Sequence, residues 1–138
     1  EWIAIFNVET YFMTTIKVKD NLIVDLSFNF GLAIVEFTDE LQIRRKFAVA
    51  NQRLRSGTGI GANIWEAQNA ESKSDFIHKL KVAAKEGEET EYWLLLCKHS
   101  KNYPDPEELL EALKSINKVL NKIISTSKRS FANNQNIQ

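Results

Sequence analysis

The stretch RSGTGIGANIWEAQNAESKSDFIHKL, Arg55–Leu80, decides how this chain is read. Gly57, Gly59 and Gly61 stand at every second position, at a density that suggests a phosphate-cradling loop. A P-loop continues into Gly-Lys and then Ser or Thr, and no such run follows here. The dinucleotide fingerprint has the spacing G-x-G-x-x-G after a strand, whereas G-x-G-x-G here follows a segment of helical period. Phe47, Ala50, Leu54, Ile60, Ile64 and Ala67 keep that period straight through the glycines. A glycine inside a helix costs about 1 kcal/mol relative to alanine, so three of them imply that a side chain would obstruct something. We read the stretch as a helix, spanning roughly 44–70, that comes very close to another helix.

Working outward, Ser72 with Asp75 three residues on has the pattern of an N-cap and its partner. A third helix follows through Phe76, Leu80, Ala83, Gly87, Thr90, Leu94 and Cys97. If the second and third helices form a hairpin about Glu71, Gly57 and Gly61 lie opposite Ala83, Ala84 and Gly87. Gly57, Gly61 and Gly87 are therefore expected to form one close helix contact. In NYPDP, Asp105 reads as an N-cap, Pro106 as the first helical residue and Glu108 as the partner in a capping box. Leu109, Leu113, Ile116, Leu120 and Ile123 then mark a fourth helix. Toward the N-terminus, Phe30, Ile34, Phe37 and Leu41 define a first helix, capped by Asp25 or Ser27, whose face Phe28, Leu32 and Val35 widen.

Four long amphipathic helices with short connections predict an all-α, antiparallel up-down four-helix bundle. We assign it residues 25–131, after an extended arm over 1–24 and before a polar, frayed tail at 132–138. TTIKVKDNLIV in the arm has weak strand character. Residues 1–12 read as an upstream extension or cropped remnant, since Met13 is the chain's one methionine. The first and third helices carry more apolar surface than one bundle core needs. Phe28, Leu32, Trp65 and Trp93 are accordingly candidates for a contact between copies.

The 138 residues fit one domain, 43% hydrophobic and 26% charged. Lys plus Arg and Asp plus Glu number 18 each, so no overall basic field advertises nucleic acid. Cys97 is the single cysteine, which excludes an intrachain disulfide and points to a reducing cytoplasm. One Cys with His78 and His99 offers no zinc-ligand spacing, and no cofactor motif is present. No apolar run reaches the roughly 20 residues of a membrane span.

Glu91 falls beside the apolar stripe of the third helix and needs a partner, because an unpaired buried charge is expensive. Arg55 is the expected partner, with Glu88 standing in for Glu91 if the register differs. His78 and His99 read as surface residues, and Cys97 as a small core residue. Basic residues gather at Arg44, Arg45, Lys46 and Arg53, which form the candidate nucleic-acid contact. Further groups are Lys79, Lys81 and Lys85, and Lys118, Lys122, Lys128 and Arg129. No catalytic residue and no metal ligand is assigned.

LRSGTGIGANIWEAQNAESKSDFIHKLKVAAKE and ETEYWLLL resemble the bacterial 23S rRNA intervening-sequence proteins. More loosely, the resemblance runs from Asn21 to Arg129. It implies an antiparallel four-helix bundle assembled as a ring-like homopentamer. Some members of the family are encoded in insertions of 23S rRNA genes. A related group serves diversity-generating retroelements, binding nucleic acid and a reverse transcriptase. Two features depart from the pattern: Gly59 stands where serine is expected, and the neutral charge departs from the strongly basic retroelement proteins. The reading is a non-enzymatic oligomeric scaffold that offers a basic surface to structured RNA or DNA. The alternative is a protein–protein adaptor with no nucleic-acid role.

Overall fold

The computed structural model describes residues 16–137. They form four helices in chain order: α1 (Leu22–Ile43), α2 (Phe47–Ala67), α3 (Lys73–His99) and α4 (Glu107–Gln135). The reading of residues 1–12 and most of the expected arm lie outside the described residues.

Each helix packs on two neighbours, α1 on α2 and α4, and α3 on α2 and α4, with no contact across either diagonal among the described residues. Contacts at both ends give the directions. Lys73 opens α3 and bonds Ser130 near the end of α4, while Lys98 at the end of α3 pairs with Glu107 at the start of α4. Asn21 before α1 bonds Gln68 after α2, so that pair is antiparallel as well. The result is the up-down bundle that short connections favour.

Its core is the apolar stripe of each helix. Phe30 and Ile34 meet Ile60 and Ile64, Leu80 and Leu94, and Leu113, Ile116 and Leu120, all at 0–1% exposure. Phe47, expected on the inner face of α2, is exposed instead: the helix begins at that residue, and Ala50 is the first of its residues to be buried.

Several boundaries differ from expectation; α2 runs Phe47–Ala67, three residues shorter at each end than 44–70. Asn21 caps α1, its side chain accepting from the Val24 amide, so the helix starts three residues before Asp25. Asp25 sits in the first turn and accepts from the Val18 and Lys19 amides at 2.9 and 3.1 Å. Residues 16–20 are thus tied along α1 by side chains rather than paired as a strand, with Asn29 bonding both the amide and the carbonyl of Ile16. At α4 the Asp105 carboxylate does accept from the Glu107 amide, but Pro106 occupies the cap position and the helix opens at Glu107. The polar tail is helical as far as Gln135, continuing α4 instead of fraying at 132. Ser72 caps α3 as expected, accepting from the Asp75 amide at 3.0 Å.

The glycines need the main correction. Gly57 does not meet α3: a Cβ there would lie 2.8 Å from Ile34 of α1. Gly61 also faces α1, where a Cβ would be 3.2 Å from the Ser27 carbonyl oxygen. Gly87 faces α4, with Asn117 Oδ1 2.7 Å from the same construction. All three mark close approaches, but at two different seams. The physical reason is that α2 occupies a corner of the square, so its inner face divides between two neighbours, and Gly57 and Gly61 fall on the α1 side. Gly59 is the glycine that faces α3, beside Glu86.

Candidate functional site

The turn after α1 shapes one end of the bundle. Arg45 has φ 61°, the left-handed region usually given to glycine. The Arg45 amide donates to the Gln42 carbonyl at 2.8 Å, and the Lys46 amide to the Leu41 carbonyl at 2.8 Å. These two bonds satisfy the last carbonyls of α1 and hold Arg44, Arg45 and Lys46 in a tight basic corner. The corner is partly neutralised. Arg44 pairs with Glu40 at 3.0 Å, and Lys46 lies 4.9 Å above the Tyr103 ring. At the same end, Lys98 pairs with Glu107 at 2.9 Å.

Arg53 does not join them. It is 1% exposed, one of the largest fully buried side chains of the protein. Ala50, Arg53, Gly57, Ile60, Ile64 and Ala67 follow one another at steps of three and four, so the same periodicity that buries the isoleucines buries Arg53. Its Nη1 donates to Cys97 Sγ at 3.4 Å, and its guanidinium carbon lies 3.9 Å from the Phe37 ring centroid. Nε, Nη2 and the nearby Ser56 Oγ have no hydrogen-bond partner among the described residues. Burial lowers the Arg53 pKa, an effect Cys97 opposes. Burial likewise pushes the Cys97 thiol up, with Arg53 pulling it down. A thiol held neutral inside the core is a poor nucleophile, in keeping with Cys97 as a core residue.

The expected Arg55–Glu91 pair is not formed. Arg55 reaches across the α2–α3 seam to Glu86 at 3.5 Å and to Glu89. Trp93 Nε1 donates to the same Glu89 at 3.3 Å. Glu86, Glu89 and Trp93 are three and four apart and face α2, whereas Glu91 lies past buried Thr90 on the other side of α3 and is exposed, as is Glu88. The network is therefore a surface clasp and not a buried ion pair. The hydrogen bond from Arg55 holds the Glu89 carboxyl below its ordinary range, helped by Trp93, while burial opposes. Glu89 and Glu86 in turn raise Arg55. Lys79 and Glu66, 2.8 Å apart, continue the seam toward the other end.

Among the described residues, nothing covers the widened face of α1. Phe28, Leu32 and Val35 of α1 and Thr58, Ala62 and Trp65 of α2 line a groove of about 370 Å³, floored by Val24, Ser27, Gly31 and Gly61. Phe28, Leu32, Val35 and Trp65 are 37–41% exposed. Lys19 lies 4.0 Å above the Trp65 ring at its margin. A separate apolar ridge on α3 comprises Tyr92, Leu95 and Leu96. Trp93 is half-buried, edge-on to Tyr92 at 5.5 Å, so it braces the clasp more than it faces outward.

His78 and His99 are exposed. Among the described residues, no three His, Cys, Asp or Glu side chains gather as a metal would require, and no helix is long and apolar enough to cross a membrane.

These surfaces define a small all-helical bundle with close glycine seams, a surface clasp and, among the described residues, an apolar groove. Residues 19–125 match the family described as 23S rRNA-intervening sequence protein. The chain belongs to that family. It is similar to a solved protein of unknown function from the S23 ribosomal protein family of Bacteroides thetaiotaomicron, with 43% identity and a TM-score of 0.71. The match covers 74% of this chain and 97% of that one. No curated protein matches.

Proposed function

We propose that this protein is a non-enzymatic scaffold that assembles with copies of itself and binds structured RNA or DNA through its basic surface. The observation that carries the reading is the α1–α2 groove, an apolar surface without a partner among the described residues. The α3 ridge lies on a different helix, diagonal to α1. A groove and a ridge on different faces suit a head-to-tail contact between copies, which closes into a ring when the rotation allows. A pentamer is the assembly the family resemblance implies. In a ring every basic patch is repeated, so weak phosphate contacts add. The family's description names an intervening sequence of 23S rRNA, and that supports a structured RNA as partner. The reading includes a cytoplasmic location, where the lone buried thiol stays reduced.

Light scattering paired with titration of an RNA hairpin and a DNA duplex at several salt concentrations tests it. An oligomer whose binding weakens steeply with salt is expected. A monomer at micromolar concentration sinks the assembly. An oligomer that binds neither nucleic acid at low salt favours the second reading, a protein–protein adaptor. The pairing of Arg44 with Glu40 and of Lys98 with Glu107, which lowers the net charge at the corner, favours that alternative.

A further inference from the structure

Overall neutrality hides a segregation of charge. From Ala112 to the last residue there are five basic residues, Lys114, Lys118, Lys122, Lys128 and Arg129, and no acidic one. Residues 1–111 hold the other 13 basic residues against all 18 acidic ones. The chain is therefore an acidic body, up to and including Glu107, Glu108 and Glu111 at the start of α4, followed by a basic remainder of that helix.

The bundle turns that composition into a surface. Leu113, Ile116, Leu120 and Ile124 are the buried face of α4. Lys114, Lys118 and Lys122, four apart, fall on the opposite face, and Arg129 continues the row; all are exposed. The three lysines are about 6 Å apart along the axis, Arg129 follows about 10 Å beyond Lys122, and the row spans roughly 22 Å. That is long enough to run beside about six phosphates of one strand of a duplex. Asn121, Ser125 and Thr126 are exposed along the same helix and add uncharged hydrogen-bonding groups of the kind that contact phosphate oxygens. Lys73 of α3, bonded to Ser130 Oγ at 2.7 Å, adds a cation at the far end. The ion pairs among the described residues engage Arg44, Arg55, Lys79 and Lys98, and none of the five basic residues of α4. These charges are thus available to an outside partner, which the corner at Arg44 and Lys46 offers only in part.

We propose that the solvent-facing row of α4, Lys114, Lys118, Lys122 and Arg129, is the surface that takes the phosphodiester backbone of the nucleic acid. This rests on the nucleic-acid reading above and moves its principal contact from the α1–α2 corner to the last helix. Contacts of this kind read charge and spacing, not base sequence.

The test compares two triple variants by fluorescence anisotropy on an RNA hairpin and a DNA duplex of equal length. One is Lys114→Gln with Lys118→Gln and Lys122→Gln; the other is Arg44→Gln with Arg45→Gln and Lys46→Gln. A third, with arginine at the three α4 positions, keeps the charge. The α4 glutamine triple is expected to lose at least about tenfold in affinity at low salt, and its salt slope to fall by about three. The arginine triple should retain binding, and melting curves should show all three variants folded. Loss on one nucleic acid or both supports the placement and identifies the source of the phosphate. If the corner triple loses binding while the α4 glutamine triple retains it, the placement on α4 is wrong and the nucleic-acid reading stands. If the unmodified protein binds neither probe at low salt, that reading itself fails and the placement falls with it.

Discussion

At the residue scale, Gly57 and Gly31 make a controlled pair. Alanine gains about 1 kcal/mol over glycine in a helix, and at Gly31 its Cβ would meet nothing within 4 Å. Gly31→Ala is therefore expected to raise the unfolding free energy by about 0.5–1 kcal/mol in urea titrations. At Gly57 the same Cβ would sit 2.8 and 2.9 Å from the two γ carbons of Ile34, a buried, β-branched side chain with little rotamer freedom. Overpacking should outweigh the propensity gain and leave Gly57→Ala less stable by about 1–2 kcal/mol. Combining it with Ile34→Ala should cost less than the two changes added together; strict additivity would mean that the two residues do not touch. Arg53 poses the opposite problem, a buried cation with two donor nitrogens lacking a partner among the described residues. Arg53→Met keeps the volume and removes the charge, so it should fall within about 1 kcal/mol of the native protein or exceed it. Arg53→Ala leaves a cavity and should cost about 3 kcal/mol or more. A large loss in the methionine variant would mean that the guanidinium has an anionic partner.

At the element scale, the end of α1 and the α2–α3 clasp each carry a prediction. Arg45 holds φ 61° without the freedom of glycine. Arg45→Gly relieves about 1–2 kcal/mol of left-handed strain but adds unfolded-chain entropy. A net gain of about 0.5–1 kcal/mol is expected in the same titration. The clasp is exposed, so its value shows as a pH dependence and not as a large stability loss. The folded state lowers the Glu89 pKa, which means that Glu89 stabilises the fold above its ordinary pKa of 4.5. That stabilisation fades as pH falls through the lowered value, where the folded carboxylate finally protonates. Arg55→Gln should flatten this acid limb while leaving the difference between pH 6 and pH 8 unchanged. Parallel acid limbs in the two proteins would show the clasp to be inert.

At the scale of the whole molecule, the proposed assembly puts the α1–α2 groove at the contact between copies. Trp65→Glu and Leu32→Glu place a carboxylate among Phe28, Val35 and Ala62, and burying it unpaired against a second copy would be costly. Both variants should sediment as monomers at concentrations where the native protein assembles, with thermal stability of the single bundle nearly intact. An unchanged assembly in both would move the contact away from α1–α2, and the α3 ridge would be the next face to alter.

The four helices, their order and most core residues were legible in the sequence, because helical period and capping are local. Ile34, Ile64, Leu80 and Leu120 declare themselves by spacing, and Ser72 by the Asp75 that follows it. Even Arg53 was legible in principle, since it stands three residues from Ala50 and seven from Ile60, although its charge points to the surface. The partners of each face were not legible. Gly57 and Gly61 signalled a close approach, yet whether α1 or α3 filled it depends on how α2 is rotated in its corner of the square. The same rotation gave Arg55 to Glu86 and Glu89 and left Glu91 in solvent. Spacing along a helix determines which residues share a face, and that belongs to the sequence. Which neighbour the face meets is set by all four helices packing at once, and only the tertiary structure decides it.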